Sequence, residues 1–380
     1  MSTQILHFAQ DGDTSGFFPQ LARWHDRPRF HMHFGTLKGM DPRLKADMVG
    51  QGVPCFSGNG RGRSAYPRVA LHLARYLRRE RIAVLHTHLF EPSVIGLLAA
   101  TMARVPVRVM TRHYSDYHTR IGKRWHVRLD QLCTRLSDAV IAVSRHTAEH
   151  MIAVERAPAD KIHVVLNGID FERVQISDEG APTRLRRELS GGATHLLLVA
   201  ARLHPEKGYE CLFAALPRVR RLLAEPFRLL VAGTGALEPS YRDLVASLGC
   251  QDLVTFLGFR RDLPDLMAAV DLVVLPSVAE AFGLVLAEAL YLGTPVVATR
   301  VGGIPEIVDD GIDGVLVPPA DSEALATVVV GLLTDRDRRA AMGGRGRAKV
   351  KTRFRFEDMV GAYEKLYSAL LDKRFPRERS

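Results

Sequence analysis

The chain has 380 residues, 47% of them hydrophobic and 25% charged, the composition of a globular protein of two domains rather than of a disordered or fibrous one. The N-terminal MSTQILHFAQ lacks a secretory-signal pattern and no apolar stretch nears the roughly 18 residues that span a bilayer, so a cytoplasmic location is expected; Cys55, Cys133, Cys211 and Cys250 form no CxxC pair, which argues against a zinc site and a disulfide framework. The net charge of +10 is uneven, with 22 Lys and Arg against 11 Asp and Glu in residues 1–150 and 30 against 31 in the rest. Either the front half meets an anionic partner, such as a phospholipid surface, a lipid-linked phosphate or an acidic glycan, or it carries an arginine-rich surface with no such role.

Short apolar runs of strand length alternate with stretches of helical period along the whole chain. In the front half the strands are QILHFA, RFHMHFGT, AVLHTH, VRVMTRH, AVIAVS and HVVLN, separated by helical segments such as SAYPRVALHLARYLRRERI and SVIGLLAATMARV. After the polar stretch ISDEGAPTRLRRELSGG the alternation restarts with HLLLVAAR, FRLLVAG, LVTFLG, DLVVLPS, PVVATR and GVLVP. This pattern predicts two doubly wound α/β domains, residues 1–175 and 193–355, joined by a linker over 176–192, with a final helix over 356–372 that crosses back onto the first domain. In open sheets of this kind ligands bind outside the carboxyl ends of the strands.

The candidate residues lie at those ends. In LHTHLF, His86 and His88 sit two apart on a strand and share a face. With no third ligand placed, a polar strand end facing the cleft is preferred over a metal site. His113 closes VRVMTRH, either as a cleft residue or as a strand-end histidine bonded to backbone. The segment RIGKRWHVRLDQLCTRL aligns Arg120, Arg124 and Arg128 on one helical face and Ile121, Trp125, Leu129, Leu132 and Leu136 on another. Such a helix either lies on an anionic bilayer or packs on its own sheet, the second reading being preferred.

In the second half, Arg202 and Lys207 of ARLHPEKG fall at a strand end and the next helix start, where two cations neutralise a diphosphate or form surface ion pairs. The GTG that follows FRLLVAG includes Gly233, whose lack of a side chain allows close backbone approach; the third glycine of a dinucleotide fingerprint is missing. In EAFGLVLAE the helix should start near Phe282 or Gly283, leaving Glu280 in the preceding loop and Glu288 about one and a half turns inside. Paired carboxylates suit a polyhydroxylated ligand, and the free N–H groups of Phe282, Gly283 and Leu284 suit phosphate or sugar oxygens. The alternative is a helix N-terminal acid at Glu280 and a solvated surface acid at Glu288. Gly302 and Gly303 open another helix at a strand end.

The ordered set VLNGID, ARLHPEKG, VAGTG, FLGF, PSVAEAFGLVLAEAL and GTPVVATRVGGIPEIV resembles the donor-binding domain of the retaining family-4 glycosyltransferases of GT-B fold, the glycogen-synthase-like group, over roughly residues 160–320. VLHTHLFEP, VPVRVMTRH and SDAVIAVSRHT resemble the acceptor-domain strands of the same family more loosely. The resemblance implies two Rossmann-like domains facing across a cleft. It implies that Glu280 contacts the donor sugar hydroxyls, Glu288 the nucleotide ribose, and Arg202 and Lys207 the diphosphate. The amides of Phe282, Gly283 and Leu284 would hold sugar and diphosphate, Phe259 of FLGF would lie against the base, and His113 would stand near the reacting sugar carbon. The family's first loop carries adjacent glycines, whereas AQDGDTSGFF separates Gly12 from Gly16; the resemblance allows either as the counterpart, and Gly16 is the one carried over. The DGD of that loop resembles a metal-binding DxD of a different, single-nucleotide-domain fold, so no metal is expected.

The expected activity is therefore retaining transfer of a sugar from a nucleoside diphosphate, UDP before GDP because the family uses it more often, to a hydroxyl of a glycan, glycolipid or small molecule. No cofactor is implied, and polysaccharide or lipopolysaccharide synthesis at the inner face of the membrane is the expected setting. Two rivals are a nucleotide-sugar epimerase or phosphorylase on a similar scaffold, and a basic non-catalytic binding protein. Nucleic acid is disfavoured as a partner because the arginines are not interleaved with aromatic platforms.

Overall fold

The structure is a computed structural model and describes residues 2–10, 16–60, 62–116, 122 and 124–376. Two compact units emerge, one made of Met1–Gly168 with Phe356–Ser380, the other of Ile169–Arg355.

The first unit holds a parallel sheet of β1 (Thr3–Ala9), β2 (Phe30–Thr36), β3 (Cys55–Ser57), β4 (Val84–His88), β5 (Val107–Arg112), β6 (Ala139–Ala142) and β7 (Ile162–Val164), ordered β3-β2-β1-β4-β5-β6-β7. The order reverses between β1 and β4, so the loops leaving these two strands diverge and open a crevice at their carboxyl ends. Helices cover both faces, which is why the strands read as near-continuous apolar runs. The C-terminal helix Phe356–Arg374 belongs to this unit and puts Phe356, Met359, Val360, Tyr363 and Tyr367 into one core cluster with Ile5, Phe34, Val84 and Val109.

The second unit repeats the plan with β8 (His195–Ala200), β9 (Phe227–Ala232), β10 (Val254–Gly258), β11 (Leu272–Leu275), β12 (Val296–Thr299) and β13 (Gly314–Val317), all parallel and ordered β10-β9-β8-β11-β12-β13. Here the reversal lies between β8 and β11. Its core gathers Leu197, Val199, Tyr209, Phe213, Leu229, Val231, Val274 and Val297.

Three expectations change. The stretch 176–192 is no linker: it holds the helix Ala181–Ser190, and Arg186 of that helix donates to the Ala269 carbonyl at 2.9 Å and pairs with Asp271 at 2.8 Å. The chain passes between units at 168–169 and 355–356 instead. Strand β3 has only three residues at the sheet edge, too short to register as a periodic run.

The third change concerns the helix Arg124–Leu136. It does pack on its own sheet, with Cys133 and Leu136 joining Met110 and Val140 in one cluster, but it turns His126, Asp130, Cys133 and Thr134 inward and leaves Trp125 and Leu132 at 50% and 41% exposure, so the apolar stripe is covered only in part. Asp130 on the inner face meets Arg112 at the end of β5, a fully buried guanidinium that Glu155 holds with two hydrogen bonds at 2.9 and 3.1 Å and Asp130 with an ion pair at 3.3 Å. A buried charge without partners costs several kcal/mol, on the order of 3–5 when a partner is removed, so Asp130 is kept on the inner face of the helix. Arg120 and Ile121 of the same pattern lie outside the described residues.

Candidate active site

The crevice of the second unit is built by the loops that leave β8 and β11. After β8 the chain runs through Arg202 into a one-turn 3₁₀ helix, Pro205–Lys207, and then Gly208 starts the helix Tyr209–Leu222. Gly208 has φ 66°, and a Cβ there would collide with the Pro276 carbonyl, so only glycine lets the two loops touch. They are joined by backbone as well: the amide of Val278 donates to the Glu206 carbonyl at 2.8 Å.

That junction places Lys207 against Glu280. The Lys207 ammonium sits 2.5 Å from Glu280 Oε2, both side chains being less than one-fifth exposed, and Ser277 Oγ donates to the same oxygen at 3.4 Å. The Glu280 carbonyl accepts from the Gly303 amide at 3.1 Å. Gly302, with φ 54°, comes so close to that carbonyl that any side chain would clash. The pair of glycines after β12 therefore clamps the Glu280 loop; the helix they open, Ile304–Ile307, is a single turn and the Gly303 amide is already used. Glu280 is neither a dipole-favoured surface acid nor free.

The helix Leu284–Leu292 starts where the sequence places it, capped by Gly283 in a left-handed conformation without a side-chain cap. Among the described residues the amides of Phe282, Gly283 and Leu284 donate to no backbone carbonyl. The Phe282 ring is buried edge-on against Phe354 at 5.9 Å, which turns its backbone rather than its side chain toward the crevice. Uncapped amides at the positive end of a nine-residue helix attract an anion. The apolar stretch around the two glutamates is explained by burial of Leu286, Ala287, Ala289 and Leu290.

Glu288 is half-buried on this helix. Burial pushes its carboxyl up to about 7, with the Arg173 charge acting in the opposite direction. The segment that carries Arg173 is held to the helix by Phe171 stacked on Tyr291 at 4.5 Å. Sequence reasoning missed Arg173, whose only signal is its place shortly after VLNGID.

Arg202 is exposed and has no ion-pair partner among the described residues, so its charge is available. Gly233, at φ 149°, packs where a Cβ would strike the Ala201 carbonyl, bringing the end of β9 against the β8 loop. Phe259 follows the edge strand β10 and is 61% exposed, an apolar ring with no cover in its own unit.

In the first unit the residues gather at the β1–β4 reversal. Gly16, φ 67°, caps the helix Phe17–Trp24 just beyond the carboxyl end of β1; Gly12 and the DGD motif lie outside the described residues. His113 follows β5, and its Nε2 lies 3.1 Å from His88 Nδ1; it bonds a side chain, not backbone, and burial lowers its pKa to about 4. His86 does not face the cleft: it is fully buried, with Nδ1 2.5 Å from the Tyr367 hydroxyl and Nε2 2.6 Å from Thr111 Oγ1. His7, which the sequence reading passed over, pairs in register with His86 and sets its Nδ1 3.0 Å from His88 Nε2. One ring nitrogen from each of His7, His86 and His88 lies within 4.8 Å of the other two, and both nitrogens of His86 are in contact with hydroxyls.

Comparison with known proteins agrees with this geometry. The family described as "Glycosyl transferases group 1" matches residues 194–335, and "Glycosyltransferase Family 4" matches residues 20–173. The N-acetyl-alpha-D-glucosaminyl L-malate synthase of Bacillus anthracis is 31% identical over 80% of this chain and 79% of its own. The D-inositol 3-phosphate glycosyltransferase of Xylanimonas cellulosilytica is 35% identical over 77% and 73%. Among solved structures, Anabaena HepE in complex with UDP and glucose superposes with a TM-score of 0.84 at 25% identity, covering 97% of this chain and 100% of that one. Two doubly wound parallel sheets with an anion-ready helix start at the second reversal define a GT-B glycosyltransferase. The chain belongs to glycosyltransferase family 4.

The raised Glu288 carboxyl has a stability consequence. Between its unfolded value of 4.5 and about 7 the folded chain holds a proton that the unfolded chain releases. That contribution is full at low pH and is lost as pH rises through 7. Glu288→Gln should therefore melt about 2–4 °C above wild type near pH 8 and match it near pH 4. Parallel melting curves for the two proteins across that range would contradict the placement of Glu288.

Proposed function

We propose that the enzyme transfers a sugar from a UDP-sugar with retention of configuration, and that the second unit holds the donor. The observation that carries this reading is the Lys207–Glu280 pair beside three uncapped amides at the start of Leu284–Leu292. In it Arg202, Lys207 and the amides of Phe282, Gly283 and Leu284 take the diphosphate and stabilise the charge that builds on it as it leaves. Glu280 accepts from sugar hydroxyls, Glu288 from the ribose, and Phe259 offers its exposed ring to the base. His113 contacts the sugar. The acceptor hydroxyl attacks the anomeric carbon on the face the diphosphate leaves, without a covalent enzyme intermediate. The reading needs no cofactor. HepE, 25–26% identical, is described with UDP and with UDP-glucose, which supports the choice of nucleotide.

For the acceptor, the relatives at 31% and 35% identity are named for L-malate and inositol phosphate, both small anionic hydroxy compounds. The excess positive charge of residues 1–150 favours such an acceptor electrostatically. With UDP-sugars and a panel of hydroxy acids, inositol phosphates and neutral polyols, UDP release should depend on an anionic member. Glu280→Ala and Lys207→Ala should each lower kcat/KM by about 10²–10³-fold in protein that remains folded at the assay temperature. Turnover at the wild-type rate in both folded variants would refute the reading.

Contact with an anionic membrane is favoured by one observation: Trp125 and Leu132 are exposed on a helix whose Arg124, Arg128 and Arg135 are exposed too. In flotation, vesicles containing anionic lipid should recover the protein and neutral vesicles should not, with Trp125→Ala weakening recovery. Equal recovery from both would remove the membrane.

A further inference from the structure

The contacts of His113 continue inward. His113 Nε2 meets His88 Nδ1 at 3.1 Å, His88 Nε2 meets His7 Nδ1 at 3.0 Å, and His7 Nε2 ends the chain buried with no partner among the described residues. His7 and His88 are both 1% exposed. Phe17 and Phe18 seal the chain, their rings edge-on to His88 at 6.0 and 5.1 Å, and Phe17 also to His113 at 6.3 Å.

A neutral imidazole carries one N–H and one lone pair. Each of the two N···N contacts needs a single proton, so three neutral rings in series allow only two arrangements. In the first, every ring is protonated at Nδ1: His7 donates to His88, His88 donates to His113, and His113 keeps an N–H on its outer nitrogen. In the second, every ring is protonated at Nε2, the donors run the other way and His113 presents a bare lone pair. The inner terminus separates them. The first arrangement leaves a lone pair unpaired at His7 Nε2, whereas the second strands an N–H there, and orphaned buried donors are the rarer of the two. His86, whose nitrogens are held by Tyr367 and Thr111, stands beside His7 and His88 without entering the chain, with ring centroids 4.9 and 4.3 Å away.

We propose that His88 is a positioning residue and that, with His7 behind it, it fixes His113 as the Nδ1–H tautomer. His113 then meets the substrate as a hydrogen-bond donor of fixed orientation, suited to an oxygen of the sugar. This rests on the reading of His113 as a sugar contact given above; the tautomer itself does not. Burial lowers the pKa of all three rings, in keeping with a neutral chain.

Nitrogen-15 histidine spectra of the full-length wild-type chain at neutral pH should show His7, His88 and His113 protonated at Nδ1. In His88→Phe, which keeps a flat ring in the site, His113 should become a mixture of tautomers. The same variant should lose about 10–100-fold in kcat with KM for the UDP-sugar within about threefold, and His88→Phe/His113→Ala should be no slower than His113→Ala alone. If His88→Phe does not fold, the wild-type spectrum and His7→Phe decide. Nε2 protonation of His113 in the wild type, or an unchanged His113 tautomer in folded His88→Phe, would overturn the proposal, as would one equivalent of tightly bound metal displacing those protons. Full turnover in His113→Ala would instead remove the sugar contact and leave the tautomer to be judged by the spectra.

Discussion

The ion pair of Lys207 with Glu280 exists because the strand order turns back between β8 and β11. Two strands adjacent in the sheet but distant in sequence send their loops to opposite faces, and only at such a place can a cation from one loop meet a carboxylate from the other above an open crevice. A few contacts in the second unit hold that meeting in place. Gly208 and Gly302 remove side chains where the loops cross, the Gly303 amide holds the Glu280 carbonyl, and Phe282 anchors the start of the next helix by its ring so that its amide is left over. Within the crevice the pair neutralises itself, and a ligand with both hydroxyls and phosphates can replace each half by a better-matched partner.

The first unit uses the same topology for another purpose. Its reversal between β1 and β4 gathers uncharged imidazoles rather than an ion pair. Burial keeps those rings neutral, and that is what makes them able to pass hydrogen-bond direction from ring to ring without a net charge. Nearby, Arg112 is kept charged by Asp130 and Glu155, the former on the inner face of a helix whose Trp125 is half exposed. One sheet thus carries a neutral chain and a charged knot side by side, each set by which partners the fold supplies.

Much of this was legible in the sequence. The strand runs, the restart after residue 192 and the placement of Glu280, Gly283 and Lys207 follow from periodicity and from glycines at strand ends. What failed did so for identifiable reasons. The helix Ala181–Ser190 is polar outside and tied by Arg186 to carbonyls that no local pattern reveals, so it read as a linker. The helix Arg124–Leu136 packs on its sheet as read, but its inner face also carries Asp130, the partner of a buried Arg112 that no local pattern reveals. The places of His7 and Arg173 depend on register and on a packed segment from elsewhere in the unit. His86, assigned to the cleft from its spacing to His88, turned inward because Tyr367, almost three hundred residues later, supplies its hydroxyl partner.

In the proposed function the reversal in the second sheet holds the pyrophosphate of an activated sugar. Diffraction from crystals soaked with UDP tests it most directly. Phosphate oxygens should sit on the amides of Gly283 and Leu284 with Arg202 and Lys207 alongside, and the ribose on Glu288. Nucleotide density away from the carboxyl ends of β8 and β11, or at those ends with the phosphates turned from the helix start, would contradict it.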